Sequence, residues 1–421
     1  MYKGSLAYLI LFVLCLVPNE AYFEISGIRL ESYRIFLLSY AVINFQKFLN
    51  IRYEPFEKWI FIFCLWSLVS FVVVHGVAGV QSGLMRFLEV GVVYLIGREL
   101  CLFGGRISFK WALTLVALAF LCMAPFALKE SIDGIRLTHV WAAELAGTYA
   151  ESFLGESYFR HGVHRSSVVF SHPILFSITA MSVAVLTWYF YTGFWRYFLT
   201  LGYVVAGYTA MTSAGFAMIG IQVALIYLEK LTGRWPDIHR YALRFSILAL
   251  MIIQVVVPGG AIRFLMNFVA LNPDTAQARY MQWQFAWDDV MGSKVFGIGF
   301  GEWSRPWWMS GSIDSYWLTM ALQNGLVGLF LVAVFWITMT NFVFTVYKTT
   351  KDKYVYLIFC ALCALIFAGV TVAFFDRAQP LIYLFIGLMS GYAIRQKVLS
   401  RNIVPSPVED LHEATGNRYA T

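Results

Sequence analysis

The chain has 421 residues, of which 60% are hydrophobic and 13% charged, with a net charge of +7 and a mean hydropathy of +0.68. A soluble domain of this length buries one apolar core, whereas this sequence repeats apolar runs of bilayer-spanning length from end to end. The composition therefore excludes a soluble enzyme and indicates an all-α polytopic membrane protein, in which the excess of Lys and Arg reports orientation and not nucleic-acid binding.

In chain order, the apolar runs predict about twelve spans: 5–18, 33–48, 58–76, 81–98, 110–128, 168–191, 196–212, 214–229, 241–258, 318–346, 354–375 and 379–395. Lys and Arg gather on one side of them, as at Lys47, Arg52 and Lys58, at Arg98, Arg106 and Lys110, at Lys230, Arg234, Arg240 and Arg244, at Lys348, Lys351 and Lys353, and at Arg395, Lys397 and Arg401. That side is read as cytoplasmic, which puts both termini in the cytoplasm and two long segments, about 129–167 and 259–313, on the outer face. The first run carries no small-x-small cleavage site and is read as a span. Residues 1–401 form one membrane domain, and 402–421 read as a short disordered cytoplasmic tail. The six cysteines lie in spans or at their ends, so no disulfide framework is expected, and Cys360-x-x-Cys363 reads as helix packing. No G-x-x-x-x-G-K-[ST] loop occurs and the cytoplasmic loops are short, so no nucleotide cofactor is expected. Arg86 and Glu89, three apart on a helix, are expected to neutralise each other, and Asp376 and Arg377 to be solvated in an outer turn.

The two long segments hold the polar residues that stand out from this background. The first, taken with the entry to the next span as far as Pro173, contains Arg136, Arg160 and Arg165, four of the seven histidines, and Asp133, Glu144, Glu151 and Glu156. Arg165 stands just before the next span, where a guanidinium fork can grip a lipid diphosphate or simply snorkel at the interface. His172-Pro173 reads as a helix entry, since no second metal ligand follows at helical spacing. In the second segment Arg279, Trp283 and Trp287 recur every four residues, and six of the fourteen tryptophans, Trp303 among them, lie between Trp283 and Trp317. Indoles stack on sugar rings and Arg grips phosphate, a combination suited to a glycolipid, while an aromatic belt at the headgroups also accounts for the tryptophans. The glycines of Gly297-Ile-Gly-Phe-Gly301 lack a dinucleotide fingerprint and are read as a sharp turn approaching a substrate or a membrane helix.

These residues resemble a known family. The run Arg279 to Trp287, then V-F-G-I-G-F-G-E-W, then Asp314-Ser315 and Gly325-Leu-Val-Gly328, is similar to the C-terminal motif of the O-antigen ligase and polymerase superfamily, and Arg165 to Pro173 is similar to the family's entry to the span after its first long outer loop. The resemblance implies a helical bundle of the membrane glycosyltransferase (GT-C-like) type that acts on undecaprenyl-diphosphate-linked saccharides at the outer face of the bacterial inner membrane. It implies arginines on the diphosphate, best matched by Arg165 and Arg279, with Arg160 and Arg136 as further candidates from the first segment. Ligases carry His where this chain has Asp314, which favours the polymerase branch acting on O-antigen, capsule or exopolysaccharide. Ser213-Ala214-Gly215 stands where the family often has Ser-Arg-Gly.

The expected chemistry is glycosyl transfer, with inversion implied by the resemblance. Cleaving the bond from C1 to diphosphate develops charge on the leaving phosphate, which fixed guanidinium groups stabilise. Asp314 is the first candidate to receive or orient the acceptor proton and His164 the second, although a helix N-cap is the plainer role for Asp314. Trp283, Trp287 and Trp303 are the candidate sugar platforms. No metal or cofactor is expected, because Asp288 and Asp289 are adjacent and diverge on a helix. Expected partners are the lipid-linked substrate, membrane lipid, a chain-length regulator and a flippase. The alternatives are an O-antigen ligase acting on lipid A core and a flippase for lipid-linked oligosaccharide, the latter disfavoured because transporters bind near the midplane.

Overall fold

The computed structural model of the protein describes residues 4–25, 28–155, 158–160, 162–232, 238–270 and 273–403; Glu156, Arg234 and the tail beyond Ile403, read above as disordered, lie outside the described residues. In chain order the elements are α1 (Ser5–Cys15), β1 (Tyr22–Ile25), β2 (Ile28–Glu31), α2 (Ser32–Ile43), α3 (Phe45–Leu49), α4 (Glu57–His75), α5 (Ala78–Arg86), a π-helical turn (Phe87–Val92), α6 (Val93–Asp133) and α7 (Leu137–Ala146). There follow β3 (Phe159–Arg160), β4 (Val163–His164), α8 (Pro173–Phe190), α9 (Gly193–Ala210), α10 (Ser213–Leu231), α11 (Ile238–Val256), α12 (Gly260–Val269), α13 (Pro273–Gly292), α14 (Tyr316–Thr350), α15 (Lys353–Thr371) and α16 (Ala378–Ile403). The structure is 77% helical, and the described strands form two antiparallel hairpins, β1–β2 and β3–β4.

Among the described residues, seven helices are long and apolar enough to cross a membrane. The expected spans 58–76, 168–191, 214–229, 241–258, 318–346 and 354–375 fall on α4, α8, α10, α11, α14 and α15, and 81–98 and 110–128 are two arms of one stretch, Ala78–Asp133. Gly105 divides the arms with a non-helical φ of 57° and ψ of −139°. The other four expected spans meet shorter or less apolar helices. The run 5–18 stops at Cys15, ahead of Pro18, which disfavours helix at its preceding residue; 33–48 breaks at Asn44; and α9 and α16 are less apolar than the seven. No residue of α11 is buried.

The core forms where α16 lies along α6. A Cβ on Gly97 would come within 2.2 Å of Leu384 O, on Gly387 within 2.1 Å of Tyr94 O, and on Gly391 within 2.2 Å of Arg98 O, so the two backbones touch through a stripe of small residues. One end of the bundle is tied by charges that the basic clusters contribute. Arg98 is buried against Glu57, which also accepts from Tyr94 Oη at 2.7 Å; Lys47 meets Glu99 at 2.5 Å and Lys397 meets Glu54 at 2.7 Å. Such pairing offsets the cost of taking these charges out of water.

Two expectations about charge are corrected. Arg86 and Glu89 do not contact each other: Gln379 accepts from Arg86 at 3.0 Å and donates to Glu89 at 3.3 Å, while Tyr33 and Arg34 also donate to Glu89, each at 2.8 Å. The intervening turn is π-helical and wider than an α-helical one, which takes the two off a shared face. Arg377 is fully buried, 3.1 Å from Glu31 and donating to Asn19 Oδ1 at 2.5 Å and Leu14 O at 3.3 Å, because the end of α1 and the β1–β2 hairpin close over the turn before α16.

The glycine turn serves a membrane helix. At Gly325, α14 takes a φ of 69° and a ψ of −178°, which opens the bond its Leu322 carbonyl and Leu326 N–H would make. The turn replaces both halves: Ile298 N donates to Leu322 O at 2.8 Å, and Leu326 N donates to Lys294 O at 2.7 Å. Gly297, with φ 70°, permits the approach, since a Cβ there would lie 2.4 Å from Leu322 O. Trp66 on α4 seals the joint by donating to Asn324 O at 2.9 Å.

Candidate active site

At the opposite end from the charged ties, the loop leading into α8 is fixed before it reaches the helix. Glu130, buried in the last turn of α6, accepts from Ser167 N at 3.1 Å, Ser167 Oγ at 3.0 Å and Val168 N at 2.9 Å, holding Val168 at a φ of 53°. Arg165 just upstream donates through its backbone N to Tyr158 O and through Nε to Ala210 O, both at 2.9 Å. Ser166 adds bonds to Thr209 on α9, backbone to backbone at 3.1 Å and hydroxyl to hydroxyl at 2.6 Å. A buried guanidinium is thus held in place by neighbours on three segments.

Arg165, Arg160 and Arg279 line one cavity of about 190 Å³, together with Asp314, His172, Tyr158, Thr275 and Thr212–Ala214. Arg160, from β3, reaches Thr275 Oγ1 at 3.4 Å. Arg279, buried on α13, has its Nε 3.6 Å from Asp314 Oδ2, an ion pair without a hydrogen bond, and neither Nε nor Nη1 has a hydrogen-bond partner. Gln282, one turn on, accepts from Asp314 N at 2.9 Å and so fixes the backbone carrying the carboxylate. The N-cap of α14 is Ser315, whose hydroxyl accepts from Leu318 N at 3.4 Å; the plainer expectation for Asp314, a helix cap, is corrected, and its carboxylate faces Arg279. Two further helices begin at the cavity: His172 Nδ1 caps α8 by accepting from Ile174 N at 3.1 Å, and Thr212 Oγ1 caps α10 by accepting from Gly215 N at 3.3 Å.

Three guanidinium groups face one carboxylate here, so the walls carry excess positive charge. Burial, with Arg160 and Arg279 beside it, brings Arg165 down to about 10, and burial lowers Arg279 also, against the pull of Asp314. Burial and the same three arginines hold His172 down at about 3, so its imidazole is neutral at physiological pH. The Asp314 carboxyl is pushed above its ordinary range by burial, with Arg279 opposing, although 37% of its side chain stays open. Such a pocket, at the N-termini of two helices, suits an anion with several oxygens.

Of the expected site residues, the structure brings Arg165, Arg160, Arg279 and Asp314 together and separates the rest. Arg136 lies elsewhere, its Nη2 2.9 Å from His139 Nε2, and His139 in turn meets Glu20 at 2.8 Å. His164 packs against Phe159 and Gly134, outside the cavity, because the tight β3–β4 hairpin carries it away from Arg165. Trp303 is buried in a small core between α13 and α14, donating to Gly311 O at 2.8 Å, and Trp283 packs on that core; Trp287 is exposed, and none of the three lines the cavity. The sequence reading missed His172, Tyr158, Thr275 and Gln282 as members of the site, and Ser213 and Ala214, which it noted, line the cavity with Thr212. Thr212 followed by an apolar run was legible as an N-cap, and therefore as an anion-facing helix end.

No family model matches the chain, and comparison with curated proteins returns no match.

Proposed function

We propose that the chain is a polymerase that joins undecaprenyl-diphosphate-linked oligosaccharide repeat units into O-antigen, capsular polysaccharide or exopolysaccharide at the periplasmic face of the bacterial inner membrane. The observation that carries this reading is the meeting of Arg165, Arg160, Arg279 and Asp314 in one cavity, although Arg165 and Arg279 lie more than a hundred residues apart in the chain. On this reading the bundle is of the membrane glycosyltransferase type with twelve membrane-crossing segments and cytoplasmic termini, so that the cavity opens outward. The basic clusters at its other end support that orientation.

In the proposed reaction the diphosphate of the donor lies among the guanidinium groups. An acceptor hydroxyl oxygen attacks C1, the bond from C1 to the phosphate oxygen breaks, and its electron pair stays on the departing undecaprenyl diphosphate. Asp314 receives or orients the hydroxyl proton. Its open edge gives a sugar hydroxyl access, and the placement of the tryptophans away from the cavity leaves sugar binding to other residues. The test is reconstitution of the purified chain in liposomes with a lipid-diphosphate-linked repeat unit. A ladder of polymer is expected, reduced about a hundredfold or more in Arg279→Lys, which keeps the charge and loses the planar fork. Transfer only to lipid A core would assign a ligase, movement without bond formation a flippase, and full synthesis by Arg279→Lys would remove that residue from the mechanism.

A further inference from the structure

A second polar cavity, of about 310 Å³, lies among α2, α5, α14, the end of the glycine turn and the turn before α16. Its volume falls within the range of small-ligand sites, about 300–1,000 Å³. Its electrostatics differ from those of the arginine cavity. Arg34 and Arg86 are set against Glu89 and Asp376, so the formal charge of the walls cancels. Both guanidinium groups are also engaged: Arg34 with Glu89 at 2.8 Å and Glu31 at 3.3 Å, Arg86 with Gln379 at 3.0 Å and Gln323 at 2.6 Å. No free fork is offered to a phosphate, in contrast to Arg279.

The cavity offers hydrogen-bonding groups and aromatic faces. Gln81, Ser82 and Thr319 line it, as do Phe300 and Phe375, both of which are exposed. Asp376 supplies a further acceptor, for its Oδ2 is buried without a hydrogen-bond partner while its backbone is held at a φ of 52°. An unpaired buried acceptor in a strained turn is costly unless a donor reaches it. Amides, hydroxyls, a carboxylate short of a donor and two phenyl rings, with no net charge, match the hydroxyl rim and apolar face of a neutral sugar. Asp314 stands two residues before α14 begins and Thr319 lies in that helix's first turn, so the two cavities meet the same end of α14.

We propose that this cavity is a saccharide site, holding the sugar of the acceptor while the arginine cavity holds the diphosphate of the donor. The assignment to the acceptor rests on the polymerase reading; the chemistry of the pocket does not. The test uses the full chain in lipid nanodiscs and a fluorescently labelled oligosaccharide released by mild acid from the producing cell's own lipid-linked pool, so that no phosphate is present. Saturable binding is expected, unchanged in Arg279→Ala, abolished in Ser82→Trp, which fills the cavity, and weakened about tenfold in Gln81→Ala at the rim. Gln81→Ala keeps the test informative should the larger side chain prevent folding. Binding lost in Arg279→Ala and retained in Gln81→Ala and Ser82→Trp would place the sugar in the first cavity and overturn the proposal, as would no saturable binding to the wild-type chain. Binding with the expected variant pattern, but no bond formation in liposomes, would keep the saccharide site and refute the polymerase reading.

Discussion

Replacing Gly325 by Ala attacks the joint that holds the glycine turn in the break of α14. A Cβ at Gly325 would stand 2.1 Å from Val295 O and 2.4 Å from Val295 C, both backbone atoms that cannot swing aside. The residue's φ of 69° with ψ of −178° adds strain of about 1–3 kcal/mol for any L side chain. Relieving the clash separates turn from helix and breaks the Ile298–Leu322 and Leu326–Lys294 hydrogen bonds, each about 1–3 kcal/mol when its groups are left buried. The sum is about 3–9 kcal/mol, several times the usual cost of a point substitution. Gly220 is the control, a helical position with no neighbouring atom within 4 Å of an added Cβ, where Ala is expected to gain about 0.5–1 kcal/mol. Thermal unfolding of the detergent-solubilised proteins, followed by loss of the monodisperse gel-filtration peak, measures both. Gly325→Ala is expected to melt far below the wild type or fail to accumulate. A melting temperature within about 2 °C of the wild type would refute the interlock.

Asp314→Asn should fold normally, since Ser315 is the cap; its transfer rate should drop sharply while the KM for the lipid-linked donor falls, read from initial rates at matched protein levels. Ser315→Ala is the converse, costing about 1 kcal/mol of stability through loss of the cap. His172→Asn keeps an N-cap acceptor and removes a titrating group: because the folded His172 sits at about 3, below the ordinary 6.5, the wild type should lose stability as pH falls from 6.5 toward 3, and the variant less, measured by thermal melts across that range. Arg136→Gln should leave polymer synthesis near normal per folded molecule, since Arg136 lies with His139 and Glu20 away from the cavity; a loss as deep as that of Arg279→Lys would contradict this placement.

The apolar runs made the helices legible because bilayer length and composition dominate their signal, and six of the predicted spans fall on single helices. Helix identity was less legible where a run is cut short by Pro18 or Asn44, or where a helix is covered by protein, as α16 is, and so does not need a continuous apolar surface. Within the site, Arg165 and Arg279 stood out because a guanidinium near the membrane is costly without a purpose. The role of Glu130 was not legible: a carboxylate at the end of a span reads as an ordinary interfacial charge until its three bonds to Ser167 and Val168 are seen. The misplacement of His164 has a related cause. It is adjacent to Arg165 in sequence, and successive side chains of an extended segment point to opposite sides. The tryptophans are a third case, since composition cannot distinguish an indole that builds a small core, as Trp303 does, from one offered to a ligand.

The geometry of Arg279 and Asp314 links the two halves of the proposed reaction. Arg165 has its Nε committed to Ala210, so its position is set before substrate arrives, whereas Arg279 leaves Nε and Nη1 without hydrogen bonds and answers only to a carboxylate 3.6 Å away. While Asp314 is ionised it shares the charge of Arg279. When Asp314 takes the acceptor proton that sharing ends, and the full guanidinium charge becomes available as negative charge grows on the leaving phosphate. Proton uptake and leaving-group stabilisation therefore favour each other in the transition state more than in the ground state, which is the condition for acceleration. In the Asn variant the guanidinium is committed to the diphosphate from the start, so donor binding tightens while the chemical step loses its coupling. A carboxylate that only oriented the acceptor would not touch donor affinity, and an unchanged donor KM in Asp314→Asn would decide for that simpler role.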